Sequence, residues 1–109
     1  MGLNVELLDI PKEEICVYDT HITHNLAPMA EAAGIYMACW RPEEINATKA
    51  KDIISILEEG LKKLKDNPDH YKQFNPSNKW GDYDGFVKWV EKYLQACKEH
   101  PEARIIVDR

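Results

Sequence analysis

The chain has 109 residues, 44% of them hydrophobic and 30% charged, with 19 acidic against 14 basic side chains for a net charge of −5. That length holds one compact domain, residues 1–109, around a single core. The acidic balance, with only Arg41, Arg104 and Arg109 as arginines, excludes a protein that grips DNA or RNA through a broad basic face.

Two further classes are unexpected. No apolar stretch approaches the ~20 residues of a membrane span. The polar Asn4 and Glu6 also interrupt the start of the chain before a secretory leader could form. Cys16, Cys39 and Cys97 are odd in number and far apart, with no Cys-x-x-Cys pair. Reduced thiols and a cytoplasmic setting are therefore expected. Cys16, in an apolar run, and Cys97, on an apolar helix face, read as small buried hydrophobes.

In chain order, Val5–Ile10 alternates weakly and reads as a short strand or an arm. Pro11 with Lys12-Glu13-Glu14 reads as a turn. Ile15-Cys16-Val17-Tyr18 is a better strand, rich in β-branched and aromatic residues. A polar cluster, Asp19-Thr20-His21-Ile22-Thr23-His24-Asn25, then reads as a strand-to-helix turn. Asn25 stands as N-cap, Pro28 in the first turn and Gly34 as the stop. Tyr36–Trp40 fits either a strand or a short helix, ended by Arg41-Pro42, and Glu43-Glu44-Ile45 fits a helical turn.

Ala50, Ile53, Ile54, Leu57, Leu61 and Leu64 repeat at helical spacing. They predict a long helix from a Thr48 cap to about Lys65, with Asn67-Pro68 as its close. One helical turn is expected within 69–74, then a loop through Asn75, Asn78, Lys79, Trp80 and Gly81. Asp82 caps a last helix, Tyr83–Glu99, whose stripe is Phe86, Val90, Tyr93, Leu94 and Cys97. Ala103–Val107 is the final strand. The sum is an α+β domain: a small sheet of two or three strands near the chain ends, with three to four helices packed on one face. The simplest pairing sets the final strand beside 15–18. So small a sheet leaves open edges, which favours a homo-oligomer.

Three groups of residues could carry chemistry. Asp19, His21 and His24 include metal-type ligands, but three or four converging donors are needed and only these are local, so no metal and no cofactor is expected. His21-Ile22-Thr23 matches the His-x-Thr signature of two-histidine phosphoesterases, which need two facing copies. His24, His70 and His100 are followed two places on by Leu26, Lys72 and Glu102, so that activity is not expected. Ser55 and Ser77 lack a nucleophile-elbow setting, and the five glycines make no phosphate loop. No catalytic residue is assigned, and the balance leans against an enzyme. A small His-dependent phosphoesterase or lyase remains an alternative.

Ligand binding fits better. Thr23, His24 and Asn25 place a hydroxyl, an imidazole and a carboxamide at a helix start, with Tyr18 and His21 beside them. Trp80 and Tyr83 offer rings for stacking, and Arg41 offers positive charge. Capping by Thr23 and Asn25, a structural hydrogen bond for His24 and an Arg41–Glu43 or Arg41–Glu44 bridge are the plainer alternatives.

Several segments taken together carry a resemblance. They are Ile22-Thr23-His24-Asn25-Leu26 with Met29-Ala30, Ala33-Gly34-Ile35-Tyr36, Trp40-Arg41-Pro42-Glu43-Glu44, Trp80-Gly81-x-Tyr83, and Cys97 with Pro101-x-Ala103. Over nearly its whole length the chain resembles a group of small phage-encoded proteins with an Ile-Thr-His-Asn motif. That group has Asn where this chain has His21, so only Thr23, His24 and Asn25 match at the motif. The resemblance implies a counter-defence protein of the host-cell cytoplasm that sequesters a nucleotide-type immune signal as an oligomer. Acidic pairs such as Glu13-Glu14, Glu43-Glu44 and Glu58-Glu59 suit an alternative, an inhibitor that covers a basic surface of a host defence factor.

Overall fold

The computed structural model describes residues 2–8, 15–79 and 81–109. The turn expected over 11–14 and the ring of Trp80 lie outside the described residues. The first segment is a strand, β1 (Gly2–Leu8), and it is the middle one. Leu3, Val5 and Leu7 are fully buried on one face, while Asn4 on the other is exposed. That is the period of two that a half-covered sheet imposes. β1 pairs antiparallel with β2 (Cys16–Thr23) on one side and with β3 (Arg104–Asp108) on the other.

The final strand therefore lies beside β1, not beside 15–18 as the simplest pairing suggested. β1 carries a complete inward apolar row, and a strand between two neighbours satisfies backbone groups on both of its edges.

β2 also runs further than expected. Its register matches Glu6 to Asp19, Val5 to Thr20, Asn4 to His21 and Leu3 to Ile22. Asp19 through Ile22 are thus strand residues and not a turn. The branched side chains Thr20 and Ile22 point to the helices, while Asp19 and His21 are exposed on the open face.

The chain then enters a 3-10 turn, His24–Leu26. Its cap is Thr23, whose Oγ1 accepts the Asn25 N–H at 3.3 Å. Asn25, expected as the N-cap, is instead an exposed residue inside that turn. Helix α1 (Ala27–Ala32) follows with Pro28 in its first turn, and Gly34, at φ +80°, ends it in the left-handed conformation that glycine adopts without strain. Tyr36–Trp40 resolves as a helix, α2, and a 3-10 turn over Pro42–Ile45 follows.

The long helix begins more gradually than a Thr48 cap implied. A 3-10 turn, Ala50–Ile53, leads into α3 (Ile54–Asp66). The Asp52 carboxylate accepts the N–H groups of both Thr48 and Lys49 at 3.0 Å. Those two bonds hold its pKa below the ordinary range. The expected stripe is buried at Ala50, Ile53, Leu57 and Leu64, with Gly60 on the same side. A Cβ on Gly60 would collide with Ile35, so glycine there lets α3 meet the α1–α2 corner.

A short helix, α4 (Pro68–Lys72), and a loop lead to α5 (Tyr83–Glu99). Asp82 caps α5 as the sequence predicts, its Oδ1 accepting the Gly85 N–H at 2.8 Å. Phe86, Trp89, Val90, Tyr93, Leu94 and Cys97 face inward. Helices α3 and α5 pack on one another, and α5 reaches β2 through Tyr93, whose ring stacks on Tyr18 with centroids 6.1 Å apart. The α+β architecture with helices on one face of a three-stranded sheet is as the sequence predicts. None of the helices is long and apolar enough to cross a membrane, among the described residues.

Candidate functional site

A cleft of about 460 Å³ opens where the end of β2 meets the start of α5. Its lining includes His21, Ile22 and Thr23 from β2, Leu26 from the 3-10 turn, and Lys79, Gly81, Asp82, Gly85 and Trp89 from the loop and α5. Two segments far apart in the chain thus share one opening. Their approach depends on Gly81, where a Cβ would meet Thr23 Cγ2 and Leu26 Cδ1 at 2.9 Å. Gly81 has φ +92° and Lys79 has φ +63°. For a lysine that left-handed conformation costs roughly 1–2 kcal/mol. Backbone strain of this kind concentrates where a side chain must be aimed.

The polar groups around the cleft are mixed. His21 Nδ1 hydrogen-bonds Asn4 Oδ1 at 2.6 Å across β1 and β2, which fixes the ring plane. Thr23 holds its own turn, and Lys79 and Asp82 bring one positive and one negative side chain to the lining. Two of the first N–H groups of α5 are already engaged: Asn75 Oδ1 takes that of Tyr83 at 2.8 Å, and Asp82 Oδ1 takes that of Gly85. Trp89 is buried, and its Nε1 donor has no acceptor among the described residues. An unpaired buried donor costs about 1–3 kcal/mol.

Of the residues singled out from sequence, His21 and Thr23 line this cleft, and Lys79 and Gly81, the chain neighbours of Trp80, line it as well. Tyr18 lies half-buried against Tyr93, where burial pushes its pKa up. Tyr83 is buried and its hydroxyl donates to the Leu64 carbonyl at 2.6 Å, tying α5 to the end of α3. Lys72 sits over its ring at 5.6 Å.

His24 and Arg41 belong to another cluster. The His24 Nδ1 accepts the Trp40 Nε1–H at 2.9 Å, and Trp40 stacks on Tyr36 at 5.5 Å. Arg41 donates to the Tyr36 hydroxyl at 3.3 Å and to Glu44 at 2.9 Å, and those two bonds raise its pKa. Arg41 is thus paired with Glu44, while Glu43 is taken by Arg109 at 2.8 Å. Asn25 is exposed between the two clusters.

The sequence did not mark Asp82, Gly85 or Leu26 as site residues. Their signal, a capping Asp and two helix-face positions, is the same as that of ordinary structure. A second groove of about 400 Å³ runs along β3, lined by Pro42, Glu43, Thr48, Arg104 and Arg109 among others. Arg109 is committed there to Glu43 and to the Trp40 carbonyl at 2.7 Å. Among the described residues, no group of three or more His, Cys, Asp or Glu is placed to hold a metal ion.

No protein-family model matches the chain, and no curated protein or solved structure matches it.

Proposed function

We propose that this chain binds a small nucleotide-type ligand without turning it over, in the cleft between the end of β2 and the start of α5. The observation that carries the reading is the convergence of His21, Thr23, Lys79 and Trp89 on one opening of about 460 Å³. That volume lies within the ~300–1,000 Å³ usual for small-molecule sites. A ring entering against Leu26 and Trp89 would bury apolar surface. The hydroxyl of Thr23 and the imidazole of His21 would meet polar edges, and Lys79 would meet an anionic group. An acceptor that reached Trp89 Nε1 would recover the cost of that unpaired donor.

The balance of Lys79 against Asp82, with the Tyr83 and Gly85 N–H groups already capped, favours a ligand of low charge over a polyphosphate. In the phage setting that the resemblance implies, such a protein would sequester a nucleotide immune signal.

The test is native mass spectrometry of the purified protein, analysis of any released molecule, and calorimetric titration with cyclic nucleotides and ADP-ribose derivatives. Binding with unmodified recovery is expected. His21→Ala and Lys79→Ala should each weaken it about tenfold or more, a loss of roughly 1.4 kcal/mol. His24→Ala should instead lower the melting temperature, because it strips the buried Trp40 donor of its acceptor. Turnover of a ligand would move the assignment to a hydrolase or lyase. An empty protein that binds nothing in the panel would favour inhibition of a host protein.

A further inference from the structure

The two edges of the sheet are treated differently by the fold. Beyond β3, the segment 48–50 closes the near half of the edge: Ala50 N–H donates to the Ala103 carbonyl at 2.8 Å and Ile105 N–H to the Thr48 carbonyl at 2.9 Å. Beyond β2 no strand is paired, among the described residues. The β2 sequence Cys-Val-Tyr-Asp-Thr-His-Ile-Thr contains neither proline nor lysine, the residues that commonly blunt an open edge.

Which backbone groups β2 offers follows from the ladder. In an antiparallel pair, alternate residues turn both N–H and C=O toward the same neighbour. Ile105 points away from β1, so Ile106 and Asp108 point toward it and bond Glu6 and Asn4. Leu3, Val5 and Leu7 must then face β2, where they meet Ile22, Thr20 and Tyr18. The groups left on the outer edge of β2, in its regular part, are those of Asp19, His21 and Thr23.

We propose that a second copy of this chain pairs antiparallel along that edge, with Thr20 of each copy on the two-fold axis, to make one six-stranded sheet. Only registers that match outward-facing residues with one another can hydrogen-bond. Shifted one way, Asp19 would stand opposite Asp19 of the partner subunit; shifted the other way, the two His21 residues would meet. The central register instead sets each Asp19 opposite the partner's His21. On the helix side it sets Tyr18 beside the partner's Ile22.

The surface is therefore complementary to itself, as an isologous dimer requires. Within one subunit Asp19 faces the like charge of Glu6 and has no ion-pair partner among the described residues. Such a cross-strand like pair is unfavourable, and the central register brings no further carboxylate opposite Asp19. The pairing also brings a second chain to His21 and Thr23 at the rim of the cleft, but it does not depend on any ligand.

Sedimentation equilibrium across a dilution series should give twice the chain mass. His21→Asp, which makes both central pairs acidic, should weaken association about tenfold or more. The double swap Asp19→His with His21→Asp should restore it, with circular dichroism showing the fold kept in both variants. In a Cys16→Ser background, Thr20→Cys should form an intermolecular disulfide on mild oxidation, since facing Cα atoms at a non-bonded antiparallel position lie ~4.5 Å apart. Asp19→Cys and His21→Cys should not. A monomer at every concentration overturns the proposal, and so does a dimer cross-linked through position 19 or 21 but not 20.

Discussion

At the scale of single residues, the three cysteines show how local context and fold divide the work. Cys39 and Cys97 are buried, and Cys97 was expected so from its place on a helix stripe. Cys16 was expected buried from its apolar neighbours but is exposed. The register slips between Leu7 and Leu8, so Cys16 comes to lie opposite Leu8, on the open side of the sheet. No pattern within residues 15–18 encodes that slip.

Burial pushes the Cys97 thiol up to about 12 and the Cys39 thiol higher. An unfolded thiol ionises near ~8.5. The folded state therefore keeps protons that the unfolded state gives up. The stability this represents is fully present below ~8.5 and is lost as pH rises toward the folded values. The urea midpoint should fall progressively once pH passes ~8.5, and Cys97→Ala should flatten that fall. At neutral pH a thiol reagent should titrate Cys16 rapidly and reach Cys39 and Cys97 only on unfolding.

At the scale of elements, the helices were the most readable part of the chain. Of the first stripe, Ala50, Ile53, Leu57 and Leu64 are buried and Ile54 and Leu61 half-buried, and the stripe Phe86, Val90, Tyr93, Leu94, Cys97 is buried throughout as its spacing predicts. Asp82 caps α5 where its position before the stripe placed it. These features read correctly because period and capping act over three or four residues. Gly60 carries no such local signal, since a glycine inside a helix is by itself only a loss of propensity. Its purpose lies in another element: Ile35 occupies the space where its Cβ would be.

Gly60→Ala should therefore destabilise the protein by roughly 1–3 kcal/mol in chemical denaturation, despite its better helix propensity. Ile35→Ala would itself leave a void, yet combined with Gly60→Ala it should cost less than the sum of the two single changes. An additive result would show that the contact is not the reason for the glycine.

At the scale of the whole molecule, β1 joins everything. It carries both sheet interfaces and the inward row Leu3, Val5 and Leu7. A variant lacking residues 2–8 should lose cooperative unfolding altogether, rather than behave as a helical remnant with a lower melting temperature. A sharp transition in calorimetry for that variant would contradict the central role of β1. The radius of gyration, 13.4 Å, is close to the ~13 Å expected of a single domain of this length.

The sequence by itself determined the class of fold, the helix faces, the capping Asp82 and the presence of strands near both chain ends. Each follows from periodicity or from the φ/ψ and hydrogen-bonding habits of a few adjacent residues. Only the tertiary structure decided that β3 pairs with β1, that β2 continues through His21 and that His24 is tied to Trp40. It alone brought Lys79, Gly81 and Trp89 across from His21 and Thr23. Those outcomes are long-range: they depend on which buried surfaces and backbone edges meet, and so on the sum of contacts between distant segments.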